Sequence, residues 1–424
     1  MSPPPIRFGT DGLRGPAGQW PLNEDGAATV GLALAGLLGG AERAPLILIG
    51  RDTRESGPAL CAALARGLAA GGARAIDAGV LPTAALSALV PARGAAGALM
   101  VTASHNAWPD NGVKVLGPDG RKFTESSALE AIFDQMPFTD HGELPPAAPP
   151  VDPDPLGPWR EAMPRPDLRG LRLLIDCAHG AAVDAAPPVL EALGATLVRR
   201  GCAPDGRNIN DGVGALSPPS ADELRAAGCA LAICLDGDAD RISLVDAEAG
   251  LLDGDDLLWL LAGGGQGPVC GTVMSNGGLD AAMAGRLRRS AVGDQSLWLE
   301  MLESGAPIGA EPSGHVLFID GLPTGDGLYA ALRALGAVVD ATGRPRLPLP
   351  VGGWQRWAQS SRKVPSGSRP NLDRLRAVAE AEAAGMRVVV RYSGTEPLLR
   401  ILVEGPAAPE AWATRIADEF ASLA

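Results

Sequence analysis

Aromatic residues are scarce in this chain: Phe, Tyr and Trp make up 4% of its 424 residues. Its cores must therefore be filled mainly by Ala, Leu and Val. Cysteines are few as well. The six (Cys61, Cys177, Cys202, Cys229, Cys234 and Cys270) include no C-x-x-C pair, which argues against a zinc framework and fits a reducing, cytoplasmic setting. No long hydrophobic run is present. The longest apolar helical stretch, 27–38, falls short of the roughly 20 residues a membrane span needs. Met1-Ser2-Pro3-Pro4-Pro5 lacks the apolar core of a secretion signal, so no membrane partner is expected. Positive charge is not in excess either. The net charge of −13 argues against general nucleic-acid binding, while leaving room for a local basic pocket for a small anion.

What the chain does contain is alternation. Its length points to several domains rather than one core. In the first third, strands are expected at 46–49, 73–79 and 95–101, with helices starting at Asn23 and spanning 58–70 and 83–90. Such alternation indicates α/β layers with largely parallel sheets, where ligands gather at the carboxyl ends of strands. Prolines crowd residues 137–158, the composition of a stiff, extended linker. A second α/β unit has strands at 171–176, 196–199, 229–235 and 242–245, and helices at 181–193 and 221–227. A third has helices at 255–262, 279–288, 295–303 and 325–335. Three such units suggest a repeat at the level of fold. The tail differs: helices at 371–384 and 409–423 and strands at 386–390 and 399–403 form a small α+β domain with an antiparallel hairpin. The expected domains are 1–150, 151–252, 253–345 and 346–424.

Four polar stretches interrupt the pattern. Thr102-Ala103-Ser104-His105-Asn106 ends a buried strand, with Lys114 ten residues past the serine. A serine on a rigid strand end can attack an electrophile or carry a transferred group. Asp236, Asp238 and Asp240 alternate on a loop fed by a buried strand. Alternate residues of an extended segment share a face, and at about 4 Å each charge pair repels by roughly 4 kcal/mol at an effective dielectric near 20. A hard dication removes that conflict, and oxygen ligands favour Mg²⁺. An EF-hand does not fit, because Ala247 stands where its twelfth-position Glu belongs. Glu311, Ser313 and His315 alternate likewise and offer groups suited to sugar hydroxyls. Arg391, Ser393, Gly394 and Thr395 combine a fork-shaped cation, two hydroxyls and a glycine N–H, a set suited to phosphate. Arg14 lies in a glycine-rich turn from which it can reach a phosphate. Each stretch alone also reads as an ordinary polar turn. His141 and His179 show no ligand spacing.

In this combination and order, the four stretches resemble the signature loops of the α-D-phosphohexomutase superfamily, over essentially the whole chain. The turns at 8–15 and 50–57 and Met274-Ser275-Asn276 are most similar to its bacterial glucosamine-phosphate branch. The resemblance implies three similar α/β domains around one cleft, plus a C-terminal α+β domain of the TATA-binding-protein-like class. It implies Mg²⁺ held by Asp236, Asp238, Asp240 and an oxygen of phosphorylated Ser104. It further implies the reaction. Phosphoserine 104 gives its phosphoryl group to glucosamine 6-phosphate, the bound 1,6-bisphosphate reorients, and glucosamine 1-phosphate leaves; a hexose 1,6-bisphosphate serves as activator. Arg241 would offset charge at Ser104, while His105 and Lys114 would handle protons or contact phosphate. Glu311, Ser313 and His315 would hold the sugar, and Arg391, Ser393, Gly394 and Thr395, with Arg14, the phosphate. The expected partner is a hexosamine phosphate, with the chain a monomer or homodimer.

The sequence departs from the family pattern at Ala107, where proline usually follows the asparagine. It also departs at Ala310 and Pro312 in the sugar loop, and at Ala291 and Gln295, where basic residues are common. Two alternatives stay open: a mutase for glucose or mannose phosphates, and a non-catalytic sugar-phosphate-binding paralogue.

Overall fold

Leu46-Ile47-Leu48-Ile49 has no polar face to offer water, so it is stable only as a strand covered on both sides. In the computed structural model, which describes residues 6–9, 12–38, 44–123, 148–263, 265–392, 397–405 and 408–423, it is an interior strand of the first sheet, flanked by a parallel neighbour on each side. That sheet comprises β1 (Leu13–Pro16), β2 (Leu46–Arg51), β3 (Arg74–Val80), β4 (Gly97–Val101) and β5 (Asp110–Leu116), in the order β1-β5-β4-β2-β3. The second comprises β6 (Arg172–Asp176), β7 (Thr196–Arg200), β8 (Leu231–Leu235), β9 (Ile242–Asp246) and β10 (Gly250–Leu252), ordered β10-β9-β8-β6-β7. The third comprises β11 (Val269–Thr272), β12 (Leu287–Ser290), β13 (Ile308–Ala310) and β14 (Val316–Phe318), ordered β12-β11-β13-β14.

The repeat is visible strand by strand. In each sheet a first strand (β2, β6, β11) lies between its parallel neighbours, and the third parallel strand turns back into an antiparallel fourth. The sheets are therefore mixed rather than largely parallel. The three returning hairpins, β4–β5, β8–β9 and β13–β14, carry Ser104, the aspartates and Glu311 respectively.

The C-terminal unit contains β15 (Gln359–Pro365), β16 (Arg387–Tyr392) and β17 (Leu398–Glu404), all antiparallel in the order β15-β17-β16. Leu399, Ile401 and Val403 turn one face toward the helices Arg376–Ala383 and Pro409–Leu423. Its sheet docks on the third unit through buried Glu404, which pairs with Arg387 and accepts the Gly277 N–H at 2.9 Å.

Several expected elements move. The helix expected over 181–193 is Ala186–Ala192, because Pro187 and Pro188 start it in its first turn instead of interrupting it. The helix expected over 279–288 is Gly277–Met283. It ends where Ala284 turns left-handed, and Leu287 instead begins β12 beside β11. The helix expected over 371–384 divides into a 3-10 turn, Leu372–Arg374, and Arg376–Ala383. The strand β15 is too polar (Gln-Ser-Ser-Arg-Lys-Val-Pro) to signal itself. Part of the expected linker lies outside the described residues. Its end is fastened: Val151 pairs with Asp77 beside β3, and Asp152 accepts two hydrogen bonds from Arg93 at 2.7 and 2.8 Å.

One apolar core runs through the first three sheets, including Leu86, Trp159, Leu173, Ile233, Leu257 and Leu328. The opposite face of the first sheet is covered by the helices Glu24–Leu38 and Gly57–Ala70. These two approach so closely that a Cβ on Gly67 would lie 1.9 Å from the Ala28 carbonyl oxygen. Gly67→Ala should cost about 1–3 kcal/mol by overpacking, read from urea unfolding. Gly36→Ala, on the exposed side of the partner helix with open space around it, should be neutral or stabilising by up to about 1 kcal/mol. Equal effects would contradict this account of the crossing.

Candidate active site

The turn after β4 places Ser104 in the left-handed region, φ +51°. A non-glycine residue there is strained by roughly 1–3 kcal/mol and stays only if its surroundings hold it. They do. Arg54 is buried and spends both terminal guanidinium nitrogens on this loop. It donates to the carbonyls of Ser104 (3.0 Å), Asn106 (2.8 Å), Ala107 (2.6 Å) and Asp110 (2.9 Å). Its Nε pairs with Asp52 at 2.9 Å. Burial pushes the Asp52 carboxyl up, against the pull of Arg54. Asp52 in turn accepts from Thr102 Oγ1, which accepts the Ser104 N–H at 2.9 Å. The Asn210 amide donates to the same Ser104 and Asn106 carbonyls.

The aspartate loop meets this serine directly. Ser104 Oγ donates to Asp236 Oδ2 at 2.7 Å. A Cβ on Gly237 would lie 2.5 Å from the Ser104 carbonyl oxygen, so only glycine allows the two loops to touch. Asp236, Asp238 and Asp240 are buried, and one oxygen from each falls within 4.8 Å of the others. Among the described residues this is the one cluster of potential ligand side chains able to share a metal ion. Lys114 Nζ bridges Asp238 Oδ2 and Asp240 Oδ2, 2.7 Å from each. The Oδ1 atoms of Asp238 and Asp240 are buried without a hydrogen-bond donor. An all-oxygen set with two orphaned acceptors fits a hard dication such as Mg²⁺. Burial, and then the charges of Asp240 and Asp238, push Asp236 up to about 7. Burial also pushes Asp240 up, but Lys114 and His315 outweigh it and hold that carboxyl well below its ordinary value.

The third hairpin docks on the second. Ile242 N–H donates to the Gly314 carbonyl at 3.0 Å, and Arg241 and His315 form an isolated β-bridge. Glu311 is buried; Oε1 accepts the Gly293 N–H at 2.8 Å and Oε2 accepts from Ser313 Oγ at 3.3 Å. Pro312 is no disruption. The Gly314 N–H bonds to the Glu311 carbonyl at 2.9 Å, so 311–314 is a β-turn with proline at its second position, where a fixed φ is favoured. His315 lies 3.8 Å from Asp240 and 3.6 Å from Asp294. Burial disfavours its charged form, but both carboxylates overcome this and raise its pKa. Asp294 is itself paired at 2.5 Å with Lys122 from the first unit, whose neighbour Arg121 stacks 4.2 Å over Trp298.

The remaining candidates fall around this centre. His105 Nδ1 is 3.4 Å from Ser104 Oγ. Burial and the charges of Arg241 and Arg14 push the His105 pKa down to about 4, so the ring is neutral at pH 7. Arg391 stands opposite Arg400 on β17, which stands opposite Lys363 on β15. Directly opposed side chains share a face, so three cations line one side of this sheet. Burial and the charge of Arg400 lower the Arg391 pKa, and Glu311 pulls the other way. Ser393, Gly394 and Thr395 lie outside the described residues, as does His141.

Arg54, Lys122 and Asp294 were not among the sequence candidates. The strand-end position of the Gly50–Gly57 loop was a signal for Arg54. The charge that matters there is Arg54 and not Arg51, which pairs with Asp77 at 3.1 Å. Nothing local marks Lys122, although the chain has only three lysines, Lys114, Lys122 and Lys363.

Comparison with known proteins shows the family. Domain signatures of the phosphoglucomutase/phosphomannomutase family match in order: α/β/α domain I at residues 5–140, domain II at 162–250, domain III at 253–346 and the C-terminal domain at 361–423. A phosphoglucosamine mutase from Halorhodospira halophila is 39% identical, covering 98% of this chain and 95% of that protein. One from Paraburkholderia xenovorans is 40% identical, covering 94% of each. A phosphoglucomutase/phosphomannomutase family protein from Burkholderia thailandensis has a similar structure, with TM-score 0.74, 24% identity and coverage of 97% and 96%. So has the Aspergillus fumigatus N-acetylphosphoglucosamine mutase, solved with GlcNAc-6P and magnesium, at TM-score 0.61, 16% identity and coverage of 98% and 95%.

Two outcomes test the cation site. Mg²⁺ should raise wild-type stability by about 2.7 kcal/mol at a hundred times its Kd, and Asp238→Asn should lose this increment in thermal melts. Asp236 titrates above its ordinary 3.8, at about 7. Ionising it therefore destabilises the metal-free fold, and stability falls as pH rises from 3.8 towards about 7. A cation takes the carboxylate form, so Mg²⁺ affinity measured by calorimetry should weaken below about pH 7, approaching tenfold per unit. An affinity that does not change between pH 8 and 6 would contradict the site.

Proposed function

The chain belongs to the phosphoglucomutase/phosphomannomutase family of isomerases, and on that premise we propose that it is a phosphoglucosamine mutase. It would interconvert glucosamine 6-phosphate and glucosamine 1-phosphate in the cytoplasm, as a step of amino-sugar supply. The observation that carries the reading is Ser104 Oγ, 2.7 Å from Asp236 inside a buried three-carboxylate cluster. The nearly full-length relatives named for this activity support the choice of sugar.

The residues divide the work as follows. Ser104 gives its phosphoryl group to the sugar and takes the other phosphate back, through a bound 1,6-bisphosphate; a hexose 1,6-bisphosphate loads it at the start. A Mg²⁺ held by Asp236, Asp238 and Asp240 would supply neutralisation of phosphoryl oxygen charge. Arg241 adds positive charge beside Asp240, its Nε at 3.9 Å. His105, neutral and within reach of Ser104 Oγ, takes the hydroxyl proton when Ser104 takes phosphate back; when Ser104 gives the group up, its oxygen is the leaving group and regains that proton. Lys114 is fixed by two carboxylates and balances their charge instead of moving a proton. Glu311 and Ser313 hold sugar hydroxyls in either orientation from a turn that Pro312 stiffens. Arg391, with Arg14 and the 393–395 loop, grips the phosphate that is not reacting.

Purified protein with Mg²⁺ and glucose 1,6-bisphosphate should turn over glucosamine 6-phosphate in preference to glucose and mannose phosphates. Preference for a neutral sugar would reassign the substrate, and no turnover of any would remove the catalytic reading. Ser104→Ala should reduce kcat by at least about 10³-fold. Arg391→Gln should mainly raise KM, because it removes binding shared by ground and transition states.

A further inference from the structure

Two of the six cysteines stand side by side behind the reaction loops. Cys177 follows β6 and Cys202 follows β7, parallel neighbours whose last residues, Asp176 and Arg200, are register partners. The ladder extends one bond further, from the Cys177 N–H to the Arg200 carbonyl at 3.3 Å. Both side chains pack into the same apolar core, and the two residues meet at one carbonyl: Cys202 Sγ donates at 3.1 Å to the Arg200 oxygen that also accepts the Cys177 N–H, while Cys177 Sγ donates to the Ala182 carbonyl at 3.7 Å. Cys177 is buried and Cys202 is partly exposed. The neighbouring Cys177 draws the Cys202 thiol down against the opposing effect of burial. The neighbouring Cys202 and burial push Cys177 up. A reactive accessible thiolate beside a buried resolving thiol has this asymmetry.

The loop that Cys177 opens supports the site. Ala178 and His179 are both left-handed, at φ +54° and +53°. The Ala181 N–H donates to the Gly237 carbonyl at 2.8 Å, inside the aspartate loop. The Ala178 carbonyl accepts the Asn210 N–H at 2.9 Å, and the Asn210 side chain holds the Ser104 carbonyl. Thr53 of the first unit donates to the His179 carbonyl.

We propose that Cys177 and Cys202 form a peroxide-sensitive dithiol, and that its oxidation to a disulfide slows the enzyme by shifting the loop that supports the serine and aspartate loops. In the first step the Cys202 thiolate attacks a peroxide oxygen. The O–O bond breaks, Cys202 becomes a sulfenic acid, and the leaving hydroxide takes a proton. In the second step Cys177, losing its proton, attacks the Cys202 sulfur; the S–OH bond breaks and water leaves. Two thiols and one hydrogen peroxide thus give one disulfide and two waters. Such bonds inside reducing compartments are typically transient and sensory.

The turnover arm of the test rests on the mutase reading; the chemical arm does not. The full-length protein is treated with stoichiometric hydrogen peroxide. The expected result is a peptide linking Cys177 to Cys202, and a loss of glucosamine 6-phosphate turnover of about ten- to a hundredfold, the upper figure being what a 1 Å misplacement of catalytic groups can cost. Dithiothreitol should reverse both. Cys202→Ser should keep the reduced activity and resist peroxide, and Cys177→Ala should trap a dimedone-reactive sulfenic acid on Cys202. Absence of the linked peptide, a linked peptide with unchanged turnover, or the same loss in Cys202→Ser would overturn the proposal. If the reduced protein turns over no hexose phosphate, the mutase reading fails on its own. The linked peptide then still decides the dithiol, and the Mg²⁺-dependent melting shift, before and after oxidation, reports the loop.

Discussion

The structure depends on one electrostatic constraint: three carboxylates are buried together beneath a serine. Asp236, Asp238 and Asp240 come from one loop, and a single ammonium, Lys114 from another unit, stands between two of them. Repulsion at this separation, roughly 4 kcal/mol per pair at a dielectric near 20, would push the loop into water if nothing opposed it. What opposes it is contact between units. Lys114 and Thr83 from the first unit reach Asp238, His315 from the third faces Asp240, and Gly327 donates its N–H to the Ala239 carbonyl. The charge that suits the loop to a cation is thus also what binds three sheets to one centre.

The economy of the design lies in a repeated hairpin. Each α/β sheet ends its parallel run with an antiparallel return, and each return presents its turn to the same place. One turn carries Ser104, one the three aspartates, one Glu311 and Ser313. A fourth hairpin, β16–β17, brings Arg391 and Arg400 from the C-terminal sheet. Because each turn is held by a strand pair, its position is set by a ladder of backbone hydrogen bonds rather than by loop conformation.

Much of this was legible in the sequence, for a physical reason. Strands β2, β4, β6 and β8 are buried on both faces and so read as continuous apolar runs, and the polar turns after β4 and β8 stand out by contrast. Ser104 and the three aspartates were found that way, and Glu311 by its alternation with Ser313 and His315. Elements whose identity depends on a neighbour were not. Leu287 continues no helix because β11 lies beside it, and β15 is a strand only because β17 offers it an edge. Arg54 and Lys122 act through carbonyls and carboxylates some 50 or more positions away in the chain, at Ser104 and Asp294. No local pattern encodes such contacts. Pro312 shows the converse: as sequence it looked like a break in the sugar loop, and as structure it occupies the turn position that prefers it.

The central claim is that the buried carboxylate cluster exists to serve a phosphoryl group on Ser104. The most direct measurement is the phosphorylation state of the tryptic peptide containing Ser104, by mass spectrometry, after incubation with glucose 1,6-bisphosphate, with and without Mg²⁺. The account predicts one phosphoryl group, localised on Ser104, added in the presence of Mg²⁺ and withheld when the metal is chelated. Phosphate on another residue, or an unmodified Ser104 under both conditions, would contradict it.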